Sequence, residues 1–210
     1  MAGLRAVSAA KVRKRVAARP ADLSHAIFLV GFMGAGKTSV GRLLARRLNW
    51  IFEDLDDLIE RREGRRIAEI FRDSGETDFR HAEHTALRQV LDTLSVRPGR
   101  IVALGGGAFA QAGNAALLKR HGVRVVFLDA PFDVLWERCQ EQARKMGTDR
   151  PLLRSIEHFR ELYQARRKSY SKASKTVQTE GRDCEEIAAE IAELLALKKL
   201  NISVETGEVE

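Results

Sequence analysis

Ala26-Ile-Phe-Leu-Val30 runs without a polar residue into Gly31-Phe-Met-Gly34-Ala-Gly36-Lys37-Thr38, and this junction decides the fold. The first five residues form a short apolar run rich in strand formers. From Lys37 onward, Val40, Leu43, Leu44 and Leu48 recur at the spacing of one helix face. Strand, glycine loop and helix follow one another at once, and the loop matches G-x-x-x-x-G-K-[ST] in full. Glycine lets backbone N–H groups converge on phosphate oxygens, and the helix start points its positive end at the anion. Gly34, Ala35, Gly36, Lys37, Thr38 and Ser39 are therefore read as the binding loop for a nucleoside triphosphate. Lys37 reaches for the β and γ phosphates, and the Thr38 hydroxyl suits Mg²⁺.

Working outward, Trp50-Ile51-Phe52 reads as a second strand that ends at the acidic cluster Glu53-Asp54-Leu55-Asp56-Asp57. A charged, mostly helical stretch covers about 57–95, with a break near Ser74-Gly75. Ile101–Leu104 is a third strand running into Gly105-Gly106-Gly107, and Val123–Leu128 is a fourth. A helix is expected from about Pro131, where proline suits a first turn. The polar segment 140–155 contains Gly147 and Pro151, so part of it is expected to be loop. Helix resumes over about 156–172, then a short strand near Thr176–Thr179 and a closing helix near 183–199. Strands alternate with helices, and several strands end at Gly or Asp. This predicts an α/β fold: three layers, a central and mostly five-stranded parallel sheet flanked by helices, with ligands beyond the strands' carboxyl ends.

The composition narrows the class. Of 210 residues, 44% are hydrophobic and 31% charged, which describes a globular chain rather than a disordered one. No apolar run approaches the roughly 20 residues that span a bilayer. The +7 formal charge is uneven: residues 1–25 carry six bases against Asp22, and residues 201–210 carry three glutamates and no base. We therefore expect a basic N-terminal extension over 1–25, disordered or loosely helical, a single domain over 26–200 and an acidic tail over 201–210. A transit peptide is a second reading of the basic segment. With 6% aromatic residues and no zinc-finger pattern, nothing supports nucleic-acid binding, and no membrane association is expected. Cys139 and Cys184 are lone cysteines, which suits a reducing cytosol.

Two further clusters carry chemistry. Asp54 and Asp56 follow the second strand, where one carboxylate can serve Mg²⁺ through water and the other an attacking hydroxyl. Helix capping explains acids there equally well. The three glycines after the third strand suit a backbone approached closely by ligand. That strand has no aspartate at its end, so the acidic work comes from elsewhere, such as Asp54.

Taken in order, the pieces resemble the shikimate kinase family: G-F-M-G-A-G-K-T, F-E-D-L-D-D-L-I-E from Phe52, G-R-R-I-A-E-I-F from Gly64, G-E-T-D-F-R-H-A-E from Gly75, L-G-G-G-A from Leu104 and R-P-L-L from Arg150. The likeness covers about residues 26–197. Leu55 departs from it, standing where a small polar residue is common. The resemblance implies transfer of the ATP γ-phosphate to the 3-hydroxyl of shikimate. It makes Lys37, Asp56 and Arg150 the catalytic candidates, with Asp56 as base. Arg80, Glu83, Gly105, Gly106, Gly107 and Arg166 would join Asp56 in binding shikimate, with Arg80 and Arg166 gripping its carboxylate. Arg138 and Arg150 would join the loop in binding ATP, Arg150 from a mobile lid, and Thr38 and Asp54 would serve Mg²⁺. A cytoplasmic monomer is expected. Another small-metabolite kinase, such as a gluconate kinase, and a non-catalytic nucleotide- or nucleic-acid-binding protein are the alternatives.

Overall fold

A computed structural model describes residues 25–94, 98–146 and 155–197, with the side chain of Met146 excepted. Five parallel strands form one sheet: β1 (Ala26–Val30), β2 (Ile51–Asp54), β3 (Arg100–Ala103), β4 (Arg124–Asp129) and β5 (Lys175–Gln178), in the order β2-β3-β1-β4-β5. Every residue of β1 is buried, as its unbroken apolar run requires for a central strand covered on both faces. β3 and β4 lie on either side of β1, so the direction of winding reverses at β1. In such sheets the crevice beyond the strand ends at this point is the natural ligand site.

The helices are α1 (Lys37–Leu48), α2 (Leu55–Glu63), α3 (Ile67–Asp92), α4 (Ala112–Arg120), α5 (Phe132–Met146), α6 (Ile156–Tyr170) and α7 (Cys184–Leu194). A 3₁₀ turn spans Ala108–Ala110. α1 buries Val40, Leu44 and Leu48 and packs on β3 and α7. Gly41, inside α1, has the Phe52 ring where a Cβ would stand, 2.4 Å from its nearest atom, and this lets α1 lie close on β2.

The expected parallel α/β sheet is present, but several boundaries move. Trp50 precedes β2, while Glu53 and Asp54 belong to it, and helix begins at Leu55 rather than 57. The long helical stretch breaks twice: α2 ends at the left-handed Gly64, and Gly75 interrupts α3 with φ 80° and ψ 179°. Helix α5 continues through 140–146, and α4 has no counterpart among the expected elements. Among the described residues, no helix is long and apolar enough to cross a membrane. The extension at 1–24, the R-P-L-L segment with Arg150 and the tail beyond 197 lie outside the described residues.

Candidate active site

The loop after β1 is shaped by its glycines. Gly34 has φ 78° and Gly36 has φ 91°, left-handed values that favour residues lacking a Cβ. Gly36 caps α1 with no side-chain bond, and the first turn of α1 carries no acid, so its N–H groups remain available to an anion. The Lys37 ammonium is partly buried and donates to the carbonyls of Gly31 at 2.9 Å and Phe32 at 3.1 Å. Burial lowers its pKa, while the nearby Asp56 and Asp54 carboxylates oppose that shift.

Asp54 ends β2 one strand away from β1 and uses both carboxylate oxygens. Oδ2 accepts the Thr38 hydroxyl at 2.9 Å, and Oδ1 accepts the Asp56 N–H at 3.1 Å, capping α2. Capping and a place beside the phosphate loop are therefore not alternatives for this residue. Asp56 follows on the first turn of α2, partly buried. Burial first, and the adjacent Asp54 second, push its carboxyl up to about 6.

The three glycines after β3 are held by close packing rather than by flexibility. A Cβ on Gly105 would stand 2.5 Å from Oδ1 of Asp56. On Gly107 it would stand 2.7 Å from Nη1 of Arg80, and on Gly106 it would stand 3.1 Å from Nη1 of Arg166. Each glycine thus faces one of the side chains expected to bind the acceptor. Arg80 projects from α3, where Nη1 donates to both oxygens of Glu83 at 3.2 and 3.1 Å. Glu83 is 1% exposed, and burial raises its pKa against the pull of Arg80. Nε and Nη2 of Arg80 donate to a second acid, Glu76, at 3.2 and 3.0 Å. Arg166 comes from α6, its guanidinium 5.8 Å from the Phe32 ring centre, and burial lowers its pKa. Of the aromatic pair in α3, Phe79 is buried beneath Arg80 while Phe71 is exposed, so only Phe79 belongs to the core.

On the other side of the loop, a cleft of about 400 Å³ is lined by residues 34–40 together with Arg138, Gln142, Thr179, Arg182, Cys184 and Ile187. Arg138 donates from Nη1 to Gly34 O at 3.5 Å and from Nη2 to Thr179 O at 2.9 Å. It therefore joins the phosphate loop to the segment after β5, at the edge of this cleft. Arg150 lies outside the described residues.

Four contributing residues were not anticipated from the sequence. Glu76 stands at i, i+4 from Arg80, a spacing that marks a helical ion pair. Tyr170, 1% exposed, donates its hydroxyl to the Gly106 carbonyl, and burial raises its pKa. Thr179 and Arg182 complete the cleft beside the phosphate loop from a segment remote in the chain.

The arrangement gathers the phosphate loop with Lys37, the Asp56 carboxylate and the two arginines that face the glycine triplet. A cation, a polar base and hydrogen-bond donors so placed suit phosphoryl transfer, which depends on positioning and charge neutralisation.

Comparison with known proteins agrees. A family model described as shikimate kinase matches residues 33–196. The shikimate kinase of Aquifex aeolicus is 40% identical over 173 residues, covering 82% of this chain and 95% of that protein. That of Geobacter sulfurreducens is 42% identical over 169 residues, covering 79% and 88%. The structure of shikimate kinase from Acinetobacter baumannii in complex with shikimate superposes with a TM-score of 0.72 at 35% identity, covering 81% of this chain and 92% of that one. The likeness extends well past the phosphate loop that many proteins share, and on it this chain belongs to the shikimate kinase family.

Proposed function

We propose that this chain transfers the γ-phosphoryl group of ATP to the 3-hydroxyl of shikimate, giving shikimate 3-phosphate and ADP. The observation that carries this reading is the position of Asp56. Its carboxylate acts on Lys37 beside Asp54 and also lies against Gly105 of the glycine triplet, whose other two members face Arg166 and Arg80.

In this reading Arg80 and Arg166 take the carboxylate of shikimate, and Glu83 holds Arg80 in place. Asp56 accepts a hydrogen bond from the reacting hydroxyl. The hydroxyl oxygen bonds to the γ-phosphorus, the bond to the β–γ bridging oxygen breaks, and the hydroxyl proton passes to Asp56. A carboxyl tuned to about 6 is ionised at neutral pH and still basic enough to assist. Lys37 and the N–H groups of residues 34–39 neutralise charge on the phosphates. Arg138 borders the base, and Arg150 is assigned to the phosphates from its motif alone, as part of a lid that excludes water.

The residues present fit Mg²⁺. Thr38 offers a hydroxyl and Asp54 a carboxylate, both hard oxygen donors, and among the described residues no cluster of three His, Cys, Asp or Glu forms an all-protein cage. Mg²⁺ characteristically takes one or two protein oxygens and completes its shell with phosphate and water. Bound there, it would supply positive charge to the phosphate oxygens. Under the same reading the chain works as a cytoplasmic monomer on small molecules, without a nucleic-acid partner.

An acceptor screen with coupled detection of ADP tests the assignment. Turnover that depends on shikimate, with none on gluconate, is expected. Strong turnover of gluconate and none of shikimate would overturn it.

A further inference from the structure

Arg80 has no free side edge in this structure. Its Nη1 is taken by both oxygens of Glu83, while Nε and Nη2, the pair that forms a parallel fork to a carboxylate, both converge on Oε1 of Glu76. The two acids differ sharply in surroundings. The Glu83 side chain is 1% exposed, so pulling it from Arg80 would strand a buried charge. The Glu76 side chain is 67% exposed, so it regains water as soon as it lets go. Glu76 also follows Gly75, the one non-helical residue inside α3, where a Cβ would meet nothing within 4 Å. The chain thus has room to swing at the residue before the acid.

We propose that Glu76 is a displaceable stand-in for the acceptor's carboxylate, an acid that fills the Arg80 fork in the empty site and is exchanged, charge for charge, when the substrate arrives. With Glu76 in place, Arg80, Arg166, Glu83 and Glu76 sum to zero. An incoming monocarboxylate that replaces Glu76 restores the same sum, whereas one entering with Glu76 still seated leaves a surplus negative charge beside Glu83. Glu76 therefore competes with the substrate's own carboxylate and sets a threshold against stray anions. This makes it a specificity-determining residue, distinct from the buried Glu83 that positions Arg80. The inference rests on the reading in which Arg80 binds the acceptor's carboxylate.

Steady-state kinetics on the purified full-length chain test it, using Glu76→Gln, Glu76→Ala and, as a control, Arg80→Ala. Removal of an exposed competing ion pair predicts a KM for shikimate about two- to four-fold lower in both Glu76 variants. The KM for ATP stays fixed, and kcat stays within about two-fold. Cyclohexanecarboxylate, a simple monocarboxylate, should inhibit both Glu76 variants more tightly than the parent by a similar factor. The methyl ester of shikimate, which lacks the charge, should show no change. An unchanged or raised KM for shikimate in both folded variants would overturn the proposal. If Arg80→Ala then raises that KM strongly, only the exchange is wrong. If Arg80→Ala leaves it unchanged, the carboxylate reading of Arg80 fails as well.

Discussion

The Thr38 hydroxyl donates to Oδ2 of Asp54 at 2.9 Å, tying the first turn of α1 to the carboxyl end of β2. Sixteen residues apart in the chain, the two lie beside each other because β2 sits one strand away from β1, across β3. The phosphate loop thereby acquires an acid that its own strand does not supply.

Asp54→Asn separates the two tasks of this residue. Asparagine caps a helix about as well as aspartate, so α2 and overall stability should survive. The lost charge should raise the Mg²⁺ concentration needed for half-maximal activity by about 10–100-fold. A Mg²⁺ titration of activity beside a thermal melt checks both parts.

Asp56 sets the acid limb of the reaction. Activity should fall as pH drops through about 6, because protonation removes the acceptor of the hydroxyl proton. Asp56→Asn should lose about 10²–10⁴ in kcat and, in its residual activity, that limb of the pH profile.

The same group predicts a stability change of opposite sign. Its pKa is raised from 3.8 to about 6, so the folded chain holds the proton more tightly than the unfolded one. The associated stability is full below about pH 3.8 and is lost as pH rises through about 6. At pH 8, Asp56→Asn should therefore melt later than the parent, by about 1–2 kcal/mol after allowance for partial exposure. For a chain of this size that is roughly 2–8 °C, and the difference should shrink toward pH 4. Melting curves at the two pH values decide it.

The glycine triplet should resist alanine for reasons of space. Gly105→Ala drives a methyl into Asp56, and Gly107→Ala drives one into the Arg80 guanidinium. Each should cost about 10–10² in kcat/KM for shikimate and leave the KM for ATP near its original value. Gly113→Ala, in α4 with nothing within 4 Å of the new Cβ, should leave activity unchanged and stability equal or slightly higher.

Tyr170→Phe leaves the Gly106 carbonyl without the donor that the buried Tyr170 supplies. The expected loss is about 1–3 kcal/mol of stability. A raised KM for shikimate with no change for ATP should accompany it, because Gly106 lies against Arg166. Calorimetry and two-substrate kinetics measure the pair of effects.

The elements that declared themselves in the sequence did so through unbroken local signals. β1 and its loop are contiguous, and α1 repeats its apolar residues at 3–4-residue intervals, so both were legible. Helix α4 was not: Ala112–Arg120 is dominated by small residues, includes Gly113 and presents only a weak apolar stripe at its end. Asp54 was legible as an acid near the loop, but its double role needed the β2–β3–β1 order to bring it to Thr38. Tyr170 meets Gly106 across 64 residues, and Arg138 meets Thr179 across 41, distances over which local pattern says nothing. Glu76 was within reach, since its i, i+4 relation to Arg80 is a recognisable helical pair, although Gly75 breaks the helix immediately before it.

The central claim, that the loop at Gly31–Thr38 is the donor half of a two-substrate site, is tested most directly by phosphorus NMR of the purified chain with Mg·ATP and shikimate. One ADP should appear for each shikimate phosphorylated at its 3-hydroxyl, and ADP formation should stop when shikimate is withheld. ADP released at the same rate without shikimate, or with no phosphorylated product, would contradict it.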